Sequence, residues 1–316
     1  MEDVFAPPFY AFIGVILALL FPITVGTIQM NQKRTFISYS QIIFIVSVLL
    51  GFGFCKKQYL STLMCLCFYL LSEFYELSGT YISFNRTPSG CLPDYGFEVV
   101  KEEQELDVPF IGKTKTETVI NTLLFSLLFS ALFFLLRQHD NLLLLRRVFF
   151  MLGLTALLRP MIFCMTSLPD PSHWNPNRSD KKQKQGVYSL GEIINYTFTR
   201  LKNPSNIDTS GDMLFSGHTR YLCTAVCAYA SMITAENASL YIPLFLVALT
   251  AALYTCFLIV KCRFHYSVDI FMAVLVVVCL WLIINESAVL AELSPDVTKL
   301  PYICRGLISF MRWLNM

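Results

Sequence analysis

Apolar runs of about 20 residues recur along this chain, and a helix of that length is what crosses roughly 30 Å of hydrocarbon. The runs are Phe9–Ile28, Phe36–Phe54, Tyr59–Leu77, Thr118–Leu136, Leu142–Thr166, Met213–Ile233, Leu240–Ile259 and Tyr266–Ile284. Lipid offers no partner to an open backbone donor, and the runs lack the two-residue alternation of a barrel strand, so each predicts a helix. Only 15% of the 316 residues are charged, and the mean hydropathy is +0.57; a soluble domain would carry about a quarter charged residues. The expected fold is therefore all-α, a polytopic integral membrane helical bundle.

The third run contains Glu73 and Glu76. The simpler reading is that its helix ends early at the interface; the other is a functional intramembrane carboxylate. Two long polar stretches, Ser78–Glu117 and Ser167–Asp212, hold many of the prolines and read as ordered loops or small extramembrane caps. The N-terminus lacks a basic n-region and a small-residue cleavage site, so the first run is expected to remain as a helix. Near the other end, Ile303–Met316 sets Arg305 and Arg312 among apolar residues, a pattern for a segment lying along the interface. A net charge of +2 gives no reason to expect a nucleic-acid partner. Most of the eleven cysteines sit in apolar runs, as small hydrophobes do, and none pairs with His at zinc spacing. Neither a metal nor a cofactor is expected.

With eight spans, the loops after the third, fifth and seventh share one side of the membrane. The sequons at Asn85, Asn177 and Asn195 all fall on that side, which suggests an exoplasmic or lumenal face. Lys and Arg placement only partly agrees, because Lys33-Arg34 and Lys181-Lys182 fall on the wrong side.

Of the four histidines, His218 and His265 stand at the starts of the sixth and eighth spans. Parity puts both at the same membrane face. Asp269 follows His265 by one helical turn, so it shares a helix face with the imidazole and can fix its tautomer and stabilise its cation. His218 lies in Phe215-Ser216-Gly217-His218-Thr219, where Gly217 leaves room for a bulky head group and the helix N-terminus offers free N–H groups to a phosphate. Arg159, Arg220 and Arg263 lie near the same level as candidate phosphate ligands, with a structural ion pair as the alternative for Arg159. Ser216 and Asp212 complete the candidate binding set; Asp212 either orients His218 or only caps the sixth span. His139 falls in a short loop on the opposite face and His173 in a Pro-rich loop on the same face, and neither spacing ties them to the pair.

These motifs resemble the sphingomyelin synthase family, within the wider lipid phosphate phosphatase and phosphotransferase fold. Ser210-Gly211-Asp212-Met213-Leu214-Phe215-Ser216-Gly217-His218-Thr219 is similar to the family's stretch around its first catalytic histidine, and His265-Tyr266-Ser267-Val268-Asp269-Ile270 to its second motif. Arg146-Arg147-Val148-Phe149-Phe150 with Arg159, Thr166, Leu168-Pro169 and Pro171 is similar to another, and Leu92-Pro93-Asp94 to a shorter one. The resemblance covers Tyr59 to Ile284. It departs from the family in Ser210, where relatives carry Cys, and in having eight spans rather than six. Around His265, the sequence is closer to the inositol phosphorylceramide synthases of plants and protozoa.

The resemblance implies a six-helix catalytic membrane domain over 59–290, preceded by a pair of transmembrane helices over 1–58 and followed by a cytosolic or interfacial tail over 291–316. It implies transfer of a phospho-head group, phosphocholine favoured, from a glycerophospholipid such as phosphatidylcholine to the primary hydroxyl of ceramide, with release of diacylglycerol. His265 would be the nucleophile, Asp269 its orienting partner and His218 the general acid and base. A Golgi or plasma-membrane setting is expected, with the ER sharing the same logic, and a homo-oligomer is left open.

Hydrolysis by the same histidines, as in a lipid phosphate phosphatase, is the nearest alternative. The Lys that such enzymes place seven residues before Arg159 is replaced here by Leu152, and the histidine motif begins with Phe215. A transporter would show internal repeats, and none is evident. A silent lipid-binding scaffold would not need His218, His265 and Asp269 together.

Overall fold

A computed structural model describes residues 57–84, 90–109, 112–137, 141–172, 189–202, 212–293, 310–312 and 314. The first two expected spans, 1–56, lie outside these, as do His139, His173 and Ser210. The described chain runs α1 (Lys57–Phe84), α2 (Tyr95–Val99), β1 (Glu105–Val108), β2 (Gly112–Lys115), α3 (Thr116–Leu136), α4 (Asn141–Thr166), α5 (Leu190–Lys202), α6 (Gly217–Ser231), α7 (Ala238–Lys261) and α8 (Ser267–Leu293). The fold is all-α, with one two-stranded hairpin among the described residues. Among the described residues, five helices, α1, α3, α4, α7 and α8, are long and apolar enough to cross a membrane.

Six helices run alternately up and down, as their cross-contacts show. At one end, Asn121 of α3 meets His218 of α6, and Arg159 of α4 meets the chain just before α6. At the other end, Arg147 of α4 donates to Asn285 of α8, and Arg146 donates to Ser61 of α1. The parity argument thus describes the bundle: the segments after α1, α4 and α7 gather at one end. The sixth expected span shortens to a 15-residue helix, about 22 Å long. It is completed at the site end by the non-helical stretch 212–216.

Hydroxyls within the spans bond back to the preceding turn, as in Ser72 to Phe68, Thr155 to Met151, Thr224 to Arg220 and Thr255 to Ala251. Each is thereby satisfied without water. Small residues allow the closest helix approach, between α1 and α4. A Cβ on Gly153 would stand 2.6 Å from the Phe68 ring, and one on Gly79 would stand 2.5 Å from Pro160 Cβ.

The early-ending reading of α1 is overturned. The helix passes Glu73 and Glu76 without interruption and ends at Phe84 rather than Leu77. It continues because both carboxylates are paired inside the bundle, so neither has to reach water.

The described parts of the polar loops form a cap at the site end. In the hairpin, Glu105 faces Lys115 and Asp107 faces Lys113, an opposite-charge ladder on the exposed side, while Leu106 turns to the core. The amphipathic α5 lies against α1 through Tyr196–Tyr81 and Phe198–Phe74 ring contacts and a Thr197–Ser78 hydrogen bond.

Candidate active site

His265 sits in the tight turn between α7 and α8, and His218 is the second residue of α6. The turn is made by Arg263, which takes the left-handed conformation at φ 59°, and the chain reverses over the five residues 262–266. This reversal brings the two imidazoles to 6.3 Å between ring centroids, with Phe264 edge-on to His218 at 5.1 Å. His265 is 5% exposed and Asp269 has no exposed surface.

Asp269 holds the site together. Its Oδ2 accepts from the Tyr266 amide at 3.0 Å and lies 3.4 Å from His265 Nδ1, an ion-pair contact without a formed hydrogen bond. Its carbonyl accepts from the Ser216 amide at 3.1 Å, so the start of α6 is tied directly to the first turn of α8. Nδ1 faces a carboxylate, which leaves Nε2 as the nitrogen of His265 free to meet a substrate.

His218 is held by a residue that the sequence did not single out. Its Nε2 lies 3.2 Å from Asn121 Oδ1 at the start of α3. This contact orients the ring, the amide oxygen accepting when Nε2 carries the proton.

Arg159 crosses under the start of α6. Its Nε donates to Phe215 O at 2.6 Å and its Nη2 to Asp212 O at 2.8 Å, while Nη1 is paired with Glu76. The space expected for a head group beside Gly217 is filled by this guanidinium: a Cβ there would stand 3.0 Å from Arg159 Nη1. A side chain at Gly217 would press on this guanidinium, whose charge is paired with Glu76.

Arg220 points into the bundle, 1% exposed, and donates to Glu76 Oε2 at 2.8 Å and Glu73 Oε1 at 2.7 Å. Tyr221 donates to Glu73 at 2.8 Å. Two arginines and two glutamates therefore form one neutral buried cluster joining α1, α4 and α6, which removes the main cost of placing each charge in the bundle. Here the structural ion pair explains both arginines.

Ser216, rather than Asp212, caps α6: its Oγ accepts from Thr219 N at 3.3 Å and it is fully buried. The Asp212 carboxylate instead approaches Arg159 at 4.0 Å. Arg263 is also engaged, stacking its guanidinium 4.0 Å from the Phe97 ring centroid and donating to Phe97 O and Val100 O.

The structure thus gathers His218, His265, Asp269, Ser216, Asp212, Arg159 and Arg263 around one end of the bundle and turns Arg220 inward. Asn121, Glu73 and Glu76 join them. Intramembrane carboxylates were a visible signal for the last two; nothing in an isolated sequence marks Asn121.

No curated protein matches this chain. Residues 209–286, which hold both histidines and Asp269, match the family model described as PAP2 superfamily C-terminal, and through this stretch the chain is similar to the helical membrane phosphatases and phosphotransferases that act on lipid phosphates.

Proposed function

We propose that this protein transfers a phospho-head group from a glycerophospholipid to the primary hydroxyl of ceramide, with phosphocholine the favoured group. The observation that carries the reading is the pairing of His218 and His265 at 6.3 Å, with Asp269 against the far nitrogen of His265. Two imidazoles on opposite sides of one reacting centre supply a nucleophile and a proton carrier.

In the first half-reaction, His265 Nε2 attacks phosphorus and forms a P–N bond. The bond from phosphorus to the diacylglycerol oxygen breaks, and His218 gives that oxygen its proton. Asp269 stabilises the positive charge that develops on His265. In the second half, the ceramide hydroxyl loses its proton to His218 and its oxygen attacks phosphorus. The P–N bond breaks and both histidines return to their starting state. The α6 N-terminus offers its positive dipole end to the phosphoryl oxygens. The sphingomyelin synthase-like motifs point to ceramide as acceptor. The Arg263-to-Asp269 stretch favours the inositol phosphorylceramide variant of the same reaction as the second reading.

The test is product analysis with purified protein in mixed micelles. Fluorescent ceramide is supplied with phosphatidylcholine, phosphatidylethanolamine or phosphatidylinositol in turn, and the lipids are resolved by mass. A ceramide phospholipid from one donor, absent with His265→Ala, is expected. Diacylglycerol released without a ceramide product, or phosphatidic acid dephosphorylated, would replace transfer with hydrolysis.

A further inference from the structure

We propose that Asp94 is a positioning residue for His265, acting through the first turn of α8; the proposal rests on reading His265 as the nucleophile. Asp94 lies in the segment after α1, far from His265 in sequence. Its carboxylate nevertheless takes the donors that open α8. Oδ2 accepts from the Ser267 amide at 2.6 Å, and Oδ1 accepts from the Ser267 hydroxyl at 2.8 Å and from Gly96 N at 2.7 Å.

Helix α8 needs such a partner because its own chain supplies none at the cap position. The residue before Ser267 is Tyr266, whose ring cannot accept from the first turn. Asp269 takes the Tyr266 amide, and Asp94 takes the Ser267 amide. A negative group there also complements the positive end of the helix.

The same segment grips both flanks of His265. Leu92 N donates to Tyr266 Oη at 3.0 Å, and the Phe97 ring stacks on Tyr266 at 5.5 Å. On the other flank, Arg263 donates to Phe97 O at 2.7 Å and Val100 O at 3.1 Å. The approach is as close as backbone allows, since a Cβ on Gly96 would overlap the Ser267 hydroxyl. Asp269 Oδ2 stands only 3.4 Å from His265 Nδ1, so a small rotation of this turn decides whether the contact closes. Misplacement of about 1 Å can cost on the order of a hundredfold in rate.

The experiment compares full-length Asp94→Ala, Asp94→Asn and Gly96→Ala with wild type in nanodiscs. Hydrogen exchange is read first, without substrate, at the amides from Tyr266 to Ile270. Faster exchange there in Asp94→Ala and Gly96→Ala is expected, with the far ends of α7 and α8 unchanged. In the transfer assay, Asp94→Ala is expected to lower kcat about ten- to hundredfold at unchanged KM for ceramide. Asp94→Asn keeps an acceptor oxygen and should recover most of the loss. Wild-type exchange in Asp94→Ala would overturn the proposal, whatever the activity. So would a raised KM with unchanged kcat, which would make Asp94 a substrate contact. A wild-type protein inactive on every donor would count against the proposed function alone, because the exchange result stands without it.

Discussion

Asp269 is wholly buried, yet its carboxylate serves an imidazole and a backbone amide at once. Replacing it with Asn keeps the shape and removes the charge that stabilises a cationic His265. Asp269→Asn should therefore lower kcat by about 10²–10⁴-fold with little change in KM, read from steady-state transfer rates; an unchanged kcat would remove Asp269 from the mechanism. Glu76 makes a different prediction because it is shared by Arg159 and Arg220. Glu76→Ala leaves two buried guanidiniums short of a partner and should cost about 3–5 kcal/mol, seen as a large fall in Tm. Glu76→Gln, which can still accept, should cost less, and equal Tm values for the two variants would contradict this account. His218, His265 and Asp269 were legible in the sequence because helix starts and the i, i+4 rule are local properties. Asn121 was not, and Glu76 and Asp94 were visible only as an intramembrane carboxylate and as part of a motif, because each meets its partner across the bundle and spacing along a chain carries no such distance. Arg220 illustrates the limit: it stands two residues from His218, but the helical turn between them points it the other way.

Helix existence was easier to read than helix partners. Hydropathy placed α3, α4, α7 and α8 to within a few residues at their site-proximal ends, and α8 then ran beyond the apolar window to Leu293. The end of α1 was misjudged, since an apolarity window cannot see that an internal ion pair removes the cost of a carboxylate. The α1–α4 contact was silent in the sequence, although it depends on two single glycines. Gly153→Val would force its side chain into Phe68 and the Tyr69 backbone. It should destabilise by about 1–3 kcal/mol through overpacking, measured by thermal unfolding in detergent, whereas the same change at the exposed Gly90, whose φ is 109°, would act only through backbone strain. A Gly153→Val protein as stable as wild type would mean that α1 and α4 do not pack this closely. Helix α5 was missed because it lies within a polar stretch, although its Ile193, Ile194, Thr197 and Phe198 spacing is amphipathic and was available to read.

At the scale of the molecule, both histidines stand at the end where the cap gathers, and the described residues of the tail pack against the core cluster. Phe310 packs on Phe150 at 5.0 Å between ring centroids, and Met311 and Leu314 are 1% and 0% exposed. The tail was expected to lie along the interface; at these residues it enters the core. Ending the chain at Ser309 removes two buried apolar side chains and should lower Tm through a loss of about 2–5 kcal/mol for each, while kcat well below the melting range stays within about twofold, because neither side chain touches the histidines. A truncation that abolished transfer without lowering Tm would show that the tail and the site are coupled. The alternating helices were legible from run lengths and parity; the cap that surrounds His265 was not, since its grip depends on contacts between distant parts of the chain.

The most direct test of the central claim is to look for the bond that the two histidines are proposed to make. Purified protein is given a phospholipid donor without ceramide, quenched at alkaline pH, digested and analysed by mass. The account predicts one equivalent of diacylglycerol per protein and an acid-labile phospho-head-group adduct on His265, which disappears when ceramide is added and never forms in His265→Ala. Diacylglycerol release that continues without ceramide and leaves no adduct, or transfer to ceramide that survives His265→Ala, would contradict it.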